Sequence, residues 1–410
     1  MSVFSVTSLL SRKLLLLPVL AYASLAMSQN SNLSDWSALE QEAQGEAVYF
    51  NAWGGEPRIN AYLNWVAVQL SQRYEIDLRH VKVADTSEAV AKVVAERQAG
   101  NDSNGSVDLL WINGENFAAL KKNELLFGPW AETQPNFDLV NADRYPEMRE
   151  DFTVPTEGME SPWTRSQLIF YYDSQWIAEP PRSIREILAW TADNPGEFTY
   201  PRPPAFLGTT FLKQAVLELS NKDPALYSPV SDAEFERVTK PLWEYLDALH
   251  PNLLRTGRYF PSSAAELRRL MGDGETSLAM AFNPNEALLS VRSGELPASV
   301  RSYVLTSGTI GNVSFLAIPY NARHKAAAIV ASNFLLSVEA QARASHPDYM
   351  GSTTVLSIDD LDVDERREFN ETNNDPAAIS AGDLSRKLAE PHPSWTPALE
   401  RAWIQRYSVR

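Results

Sequence analysis

Three tryptophans stand at or beside the ends of predicted strands, and two of the turns that follow carry a glutamate. Trp53 and Glu56 lie at the first of these turns, Trp111 and Glu115 lie at the second, and Trp163 lies beside a later strand. Tryptophan faces bind rings and organic cations, and a nearby carboxylate adds to that attraction. These residues predict a site for a cationic or aromatic group. The alternative is structural, with each tryptophan in a core and Glu56 stabilising a helix N-terminus.

The second half of the chain offers groups that favour negative charge. Arg202 follows a predicted strand, and Gly208, Thr209 and Thr210 stand where the next helix is predicted to begin. Backbone N–H groups at a helix N-terminus bind anions, and an arginine pairs with a carboxylate or phosphate. We predict that these residues contact an anionic or polar part of a ligand. The alternative is that a threonine caps the helix and Arg202 is solvated.

Asn113, Asn283 and Glu286 are polar residues in turns that precede predicted helices. Each is placed for contact with a ligand at the end of a strand. Each also suits a structural role, since Asn283 is a good N-cap before Pro284 and Glu286 completes an arrangement like a capping box. The sequence leaves both readings open.

Patterns typical of catalysis and metal binding are absent from the sequence. The five histidines form no H-x-x-H or H-E-x-x-H pair, and there is no G-x-S-x-G elbow or Walker lysine loop. We predict no catalytic residue, no metal and no cofactor. Carboxylates beside cleft tryptophans leave one enzymatic alternative, a hydrolase that acts on carbohydrate.

The composition of the chain narrows its class and its partners. Its 410 residues have room for two or three domains, and 44% of them are hydrophobic, which is enough for a large core. A net charge of −16 argues against nucleic acid as a partner. Because there is no cysteine, the chain has no disulfide, no thiolate nucleophile and no lipid-anchored cysteine.

The first 26 residues have the organisation of a signal peptide. Arg12 and Lys13 precede an apolar run at 14–23, and Ser24 and Ala26 provide the small residues of a cleavage site. The apolar run is too short to span a membrane as a helix. We therefore predict export to the periplasm with cleavage after Ala26, and the alternative is a retained anchor.

Units of strand, turn and helix order the first half of the mature chain. Strands at 47–53, 78–83 and 107–111 are each followed by a segment with apolar residues at helical spacing. Pro57 suits the first position of the first helix, and Asp85 with Glu88 starts the second with a capping box. Alternating strands and helices predict an α/β fold with a parallel sheet.

The second half repeats these signals less regularly. The predicted strands are 167–172, 198–200, 274–280, 303–305 and 314–319, and the predicted helices begin at Ser183 and near Thr209 and span 262–271 and 326–336.

Several segments resemble, in order along the chain, one known family. They are DLLWINGENFAALKKNELLFGPW at 108–130, IFYYDS at 169–174 with PPRSIREIL at 180–188, GETSLAM at 274–280, LAIP at 316–319 and NFLLSVEAQ at 333–341. With them the chain resembles the bacterial periplasmic solute-binding proteins of ABC importers. The members concerned belong to extracellular solute-binding family 1, the maltose, polyamine, thiamine and ferric-iron group.

The resemblance implies an α/β, type II periplasmic-binding-protein fold of two lobes, each a mostly parallel sheet flanked by helices. Strand crossovers near 165–172 and 303–306 would join lobe 1, formed by 45–165 and 306–345, to lobe 2, formed by 170–302 and 350–410. It also implies hinge closure over a small molecule, with no bond made or broken. The implied partners are that ligand, an inner-membrane permease and its ATPase, and we expect a monomer.

The two sets of candidate residues suggest a ligand with a cationic or aromatic end and an anionic or polar end, a description that thiamine-like compounds meet. Iron-binding members use paired tyrosines. Tyr171 and Tyr172 are neighbours on a strand and point to opposite faces, so we do not expect them to be ligands. An exported receptor that reports to a membrane sensor is the alternative to a transport component.

Overall fold

The protein is described by a computed structural model that covers Leu33 and residues 35–369 and 376–407, so the predicted signal peptide lies outside the described residues. The helices are α1 (Trp36–Ala43), α2 (Pro57–Tyr74), α3 (Thr86–Gln98), α4 (Gly114–Lys122), α5 (Ile184–Asp193), α6 (Phe206–Leu219), α7 (Asp232–Leu249), α8 (Ala264–Gly272), α9 (Glu286–Arg292), α10 (Lys325–Leu335), α11 (Val338–Ser345), α12 (Val363–Arg367), α13 (Ala381–Leu384) and α14 (Trp395–Tyr407). None of these described helices is long and apolar enough to cross a membrane.

The strands fall into a large sheet, a small sheet and one short hairpin. They are β1 (Ala47–Trp53), β2 (Asp77–Val83), β3 (Leu109–Ile112), β4 (Glu150–Asp151), β5 (Val154–Pro155), β6 (Glu160–Gln167), β7 (Ile169–Asp173), β8 (Leu278–Ala281), β9 (Val300–Tyr303), β10 (Thr309–Ala317), β11 (Thr353–Thr354) and β12 (Lys387–Leu388).

The large sheet has the order β11-β6-β10-β3-β1-β2, with β12 added beside β10. Strand β1 pairs in parallel with β2 and β3, whereas β10 is antiparallel to β3 and β6. The helices between the parallel strands provide the crossovers that parallel pairing requires. The predicted parallel sheet is therefore confirmed for the three strands of the first half.

Local capping starts two of the helices as the sequence predicted. The Asp85 side chain accepts a hydrogen bond from the backbone N–H of Ser87 (2.8 Å), and the Ser183 hydroxyl accepts one from Glu186 (3.0 Å). Each bond satisfies a backbone donor that the first helical turn leaves without a partner. These starts depend only on neighbours in the chain, so the sequence could locate them.

The small sheet has the order β8-β7-β9, and β7 is antiparallel to both neighbours. The prediction of a mostly parallel sheet is wrong for this part of the chain. Residues 198–200 were predicted to form a strand, but they do not pair with any described strand. Their backbone forms hydrogen bonds with a loop, in which the Leu254 N–H donates to the Phe198 carbonyl (2.9 Å). An apolar run can satisfy its backbone outside a ladder, and its pattern does not reveal this.

Two hydrophobic cores divide the described chain. The first core contains buried side chains from 43–163 and 313–356, and the second contains those from 168–310 and 395–403. The chain leaves the first core between β6 and β7, at Leu168, and returns to it along β10. The two cores thus form around discontinuous stretches of sequence.

One predicted boundary differs from the observed packing. Residues 350–410 were assigned to lobe 2, but Met350, Val355 and Leu356 are buried in the first core. Strand β11 also pairs with the edge of the large sheet, at β6. A two-residue strand carries no recognisable pattern, so only its tertiary pairing decides which core it joins.

Candidate functional site

Side chains from both cores meet where β1 and β3 end. Helices α2 and α4 of the first core begin there, and they face α6, α8 and α14 of the second core. In open α/β sheets this edge is where ligands bind. Two groups of charged residues occupy it, one around Lys213 and one around Arg268.

Lys213, on α6, is buried and forms an ion pair with the buried Glu390 (2.7 Å). The Asn312 side chain donates a further hydrogen bond to the Glu390 carboxylate (2.9 Å). The Lys213 ammonium also lies 4.7 Å from the centre of the Phe152 ring, within the range of a cation–π contact. An isolated buried charge is costly, so these partners are what allow Lys213 to be buried.

Phe152 stands at the tip of the β4–β5 hairpin with a positive φ of 44°, and the next residue, Thr153, has φ of 71°. A bulky side chain rarely adopts this conformation, and it persists where surrounding contacts impose it. The ring packs against Gly114, where an added Cβ would lie 2.7 Å from a ring carbon. The Gly114 N–H donates to Asp151 (2.7 Å). The hairpin is thus fixed on the start of α4, beside Lys213.

Asp151 and Glu160 are buried carboxyl groups of the first core. Burial raises the pKa of each well above its ordinary value, and their mutual proximity raises the pKa of Glu160 further. Neither carboxyl oxygen of Glu160 has a hydrogen-bond partner among the described residues. Both groups therefore favour the protonated, neutral form.

Glu115 and Glu400 come from opposite cores, Glu115 from the first turn of α4 and Glu400 from α14. Burial raises the pKa of Glu115, and the nearby Lys213 partly offsets the effect. Burial also raises the pKa of Glu400, to about 7. A hydrogen bond from the Thr209 hydroxyl (2.8 Å) lowers this pKa, and the charge of Glu115 raises it further. Neither carboxylate forms an ion pair with any described residue. We call Glu115, Asp151, Glu160, Glu390 and Glu400 the carboxyl cluster.

The second group, which we call the Arg268 cluster, contains Arg268, Glu56, Glu286 and Glu295. Arg268, on α8, forms ion pairs with Glu286, with Glu295 (2.8 Å) and with Glu56 (3.3 Å). Glu56 belongs to the first core, where its side chain also accepts a hydrogen bond from the Arg58 N–H at the start of α2. All of the carboxylates in this group have a cationic partner, unlike Glu115 and Glu400.

Sequence comparison shows the family. A model of bacterial extracellular solute-binding proteins matches residues 65–361. Protein YnjB of Escherichia coli (strain K12) is 45% identical over 394 residues, which cover 96% of this chain and 98% of that relative. The chain belongs to the bacterial extracellular solute-binding protein family.

Solved structures show the fold of this solute-binding protein. It is similar to the periplasmic binding protein AfuA from Actinobacillus pleuropneumoniae, whose structure has fructose-6-phosphate bound: TM-score 0.61, 16% identity, 89% of this chain and 99% of AfuA covered. It is also similar to the spermidine/putrescine substrate-binding protein PotD from Streptococcus pneumoniae: TM-score 0.62, 14% identity, 89% and 99% covered. The predicted two-lobed, type II periplasmic-binding-protein fold is confirmed.

Family membership establishes the general role. This solute-binding protein is the component of an ABC import system that binds a small molecule, and the family implies a permease and an ATPase as its partners. The family and the fold are those of exported transport proteins, not of enzymes. Among the described residues no group of three or more His, Cys, Asp or Glu side chains is arranged to hold a metal ion.

The three tryptophans that the sequence placed at the site differ in how deeply they are buried. Trp163 is fully buried in the first core, with its ring against Trp111 (4.9 Å between ring centres), Phe50 (5.9 Å) and Tyr62 (6.5 Å). The expectation that Trp163 faces a cleft is therefore wrong, since protein side chains pack around it. Trp111 and Trp53 are half-buried at the edge of the same core, so their rings keep an exposed part.

Helix α6 begins three residues earlier than predicted, at Phe206, and the anion site at Gly208, Thr209 and Thr210 stays a prediction. The Thr209 N–H donates to the Ala205 carbonyl (3.1 Å), and its hydroxyl donates to Glu400. The Thr210 hydroxyl donates to the Phe206 carbonyl (2.8 Å). The Thr209 N–H and both threonine hydroxyls therefore already have partners inside the protein.

The other predicted site residues divide between the two groups and the surface. Glu115 lies in the carboxyl cluster, while Glu56 and Glu286 are paired with Arg268. Arg202 is exposed and forms no ion pair with a described residue. Asn113 precedes α4 but its side chain makes no capping bond, so the capping alternative does not apply to it.

Asn283 has a structural role. Its side chain donates to the Met350 carbonyl (2.9 Å) and accepts from the Asn285 N–H (3.0 Å). It therefore ties the start of α9 to the segment that enters the first core, and helix α9 itself begins only at Glu286.

Sequence reasoning missed most of the carboxyl cluster and the residues beside it. The missed residues are Asp151, Phe152, Glu160, Lys213, Asn312, Glu390 and Glu400. A single local signal was present: Lys213 interrupts a helix whose other positions from Leu207 to Leu217 are buried nearly all round. A lysine in such a helix requires a buried partner, but nothing in the sequence identifies Glu390 as that partner.

Proposed function

We propose that this solute-binding protein captures a small organic solute with a cationic group, and that the cation binds between Glu115 and Glu400. The observation that carries the proposal is the electrostatic interaction between these two carboxyl groups of opposite cores: the charge of Glu115 raises the pKa of Glu400. Both groups have a raised pKa, and neither has an ion-pair partner among the described residues. Two carboxylates that repel each other across a cleft attract a cation placed between them. Such a cation favours closure because it interacts with both lobes at once.

The surroundings favour a ring-bearing solute over a bare amine. Phe206 at the start of α6 is 41% exposed, and its ring centre lies 5.9 Å from the Lys213 ammonium. Trp111 keeps part of its ring accessible on the side of the first core. Aromatic faces attract organic cations and gain from being covered by another ring. The buried ammonium of Lys213 suits a polar or anionic second end, so thiamine-like and zwitterionic compounds fit the site.

The proposed capture mechanism is closure of two lobes about the crossovers at Leu168 and before β10. We propose that lobe 1 contains 45–165, 306–345 and the segment at 350–356, and that lobe 2 contains 170–302 and the chain from β12 onward. We further propose that the mature protein is a periplasmic monomer released by cleavage after Ala26. A closing lobe pair excludes water from the charged site, which strengthens its electrostatic interactions.

The first experiment identifies the solute. Protein purified from periplasm is analysed by native mass spectrometry, and the stripped protein is then tested by thermal shift with thiamine, 1,4-diaminobutane, glucose and glucose 6-phosphate. Because a solute that binds only the folded protein raises its Tm, we expect the cationic compounds to raise it and the neutral and anionic sugars not to. A larger shift with either sugar than with both cations would contradict a cation site.

The second experiment assigns the cation to its residues. Glu115→Gln and Glu400→Gln should each weaken binding of the identified solute about tenfold, which corresponds to about 1.4 kcal/mol, because each removes a charge and keeps the side-chain shape. The matched control is Glu157→Gln, an exposed carboxylate elsewhere on the first-core side. Calorimetry that finds all three variants equal to the wild type would remove the proposed role of Glu115 and Glu400.

A further inference from the structure

Arg268 connects the two lobes without any solute. Helix α8, which carries it, is anchored in the second core by Leu267 and Met271. Glu56, its partner at 3.3 Å, precedes α2, whose buried side chains belong to the first core. The ion pair therefore joins residues 212 positions apart on opposite sides of the cleft.

The guanidinium is held in position by its own lobe. Glu286 and Glu295 (2.8 Å) pair with Arg268 from the second core, so two of its partners are fixed whether the cleft is open or closed. The side chains of Arg268, Glu56 and Glu286 are each only 14% exposed. Solvent and salt screen a partly buried pair of this kind less than a surface pair. A preorganised arginine loses little side-chain freedom when it meets Glu56.

We propose that Arg268 is a positioning residue for capture: it acts as a latch that holds the lobes together through Glu56 before the solute arrives. Arg268 remains bound to Glu286 and Glu295 when the lobes separate, and only the contact with Glu56 is broken. The contact between Arg268 and Glu56 thus contributes to the open–closed equilibrium of the empty protein. This inference requires the two-lobed fold and is independent of which solute binds.

The latch also influences affinity from outside the solute site. If a solute binds only the closed form, its apparent affinity is its affinity for that form multiplied by the fraction of the protein that is closed. Loss of one charge-assisted contact changes such an equilibrium by roughly tenfold. Variants that break the latch should therefore weaken solute binding although the altered residue lies in the Arg268 cluster and not in the carboxyl cluster.

The decisive test compares Glu56→Gln with Glu295→Gln. Glutamine at position 56 keeps an oxygen that can accept from the Arg58 N–H, so the start of α2 is preserved. Glu295→Gln removes an Arg268 partner within the second core and leaves the contact between lobes intact. After unfolding, dialysis and refolding to strip any solute, small-angle scattering should show a larger radius of gyration for Glu56→Gln and an unchanged one for Glu295→Gln. Equal radii for Glu56→Gln and the wild type would overturn the latch.

A second pair of variants separates the latch from general charge effects. Arg268→Gln should open the empty protein as Glu56→Gln does. The double variant should be no more open than either, because both changes remove the same contact between the lobes. Arg269→Gln is the matched control, since Arg269, the neighbour of Arg268, forms an ion pair with Asp273 at the surface of α8. Additive opening in the double variant, or equal opening in Arg269→Gln, would refute the assignment. These measurements use empty protein, so they stand whether or not the cation proposal holds.

Discussion

Lys213 and Arg268 are both cations of the second core that meet carboxylates of the first, yet their surroundings differ. Arg268 forms an ion pair with each of the three carboxylates near it, and its side chain is 14% exposed. Lys213 is more deeply buried and is paired with Glu390, and no other cation among the described residues forms an ion pair with Glu115 or Glu400. In the Arg268 cluster each carboxylate is paired with the arginine, whereas the carboxyl cluster has more carboxyl groups than cations to pair with them.

This difference separates the proposed contact between the lobes from the proposed solute site. A compensated cluster gains little from an added cation, because its carboxylates are already paired. The carboxyl cluster gains more, since burial raises the pKa of Glu115 and Glu400 and a positive group between them would favour their ionised forms. We therefore propose distinct roles for the two regions.

The largest expected effect is on the Lys213 ion pair. Lys213→Met leaves the buried Glu390 without its cation, and the free energy of unfolding should fall by about 3–5 kcal/mol, the usual cost of breaking a buried pair from one side. Lys213→Met combined with Glu390→Gln removes both charges and should recover most of the loss. Urea denaturation measures both. A double variant as unstable as the single one would show that packing, and not charge, explains the effect.

A smaller loss is expected at Arg268. Arg268→Gln should lower the free energy of unfolding by about 2 kcal/mol, because the three carboxylates it leaves remain partly solvated. Arg269→Gln, a change in a surface pair, should stay within about 0.5 kcal/mol of the wild type. The same urea titrations provide the values. If Arg268→Gln cost as much as Lys213→Met, the two clusters would not differ in the way described.

The pH dependence of stability should reveal Glu400. Its folded pKa is about 7, against an ordinary value of 4.5, so the folded protein binds this proton more tightly than the unfolded chain. The contribution is complete below the ordinary value and is lost as pH rises through about 7. With allowance for the partial exposure of Glu400, the free energy of unfolding of the empty protein should fall by on the order of 1 kcal/mol from acid to alkaline pH because of this group.

Glu400→Gln should abolish the contribution of Glu400 to the pH dependence of stability. The difference between the variant and the wild type separates this contribution from those of the neighbouring titratable groups. Those groups are Glu115 on α4, Lys213 on α6 and Asp85 before α3. Unfolding titrations at several pH values provide the measurement. A difference that stays constant with pH would mean that Glu400 does not titrate in this range.

The smallest effect is expected at Arg202. Because this side chain is exposed and outside both clusters, Arg202→Ala should change the free energy of unfolding by less than about 0.5 kcal/mol and leave solute affinity unchanged. Calorimetry with the identified solute checks this. Selective weakening for an anionic analogue would restore the role that the sequence predicted for Arg202.

The sequence by itself determined the elements that depend on near neighbours. Asp85 and Ser183 start helices through bonds to residues two or three positions away, and the units of strand, turn and helix give β1, β2 and β3 their parallel pairing. The family segments, read in order, were sufficient for the fold and the general role. Glu115 was also found from sequence, because it lies in the turn after a buried strand.

Only the tertiary structure decided which charges meet and which side chains are covered. Asp151, Lys213 and Glu390 are far apart in sequence, and all three are buried in the folded protein. Burial raises the pKa of Asp151 well above its ordinary value. Trp163 was predicted at a cleft and is buried, because Phe50 and Tyr62 from other elements surround its ring. Helical spacing and turn chemistry are local properties, whereas burial and charge compensation depend on contacts between distant segments.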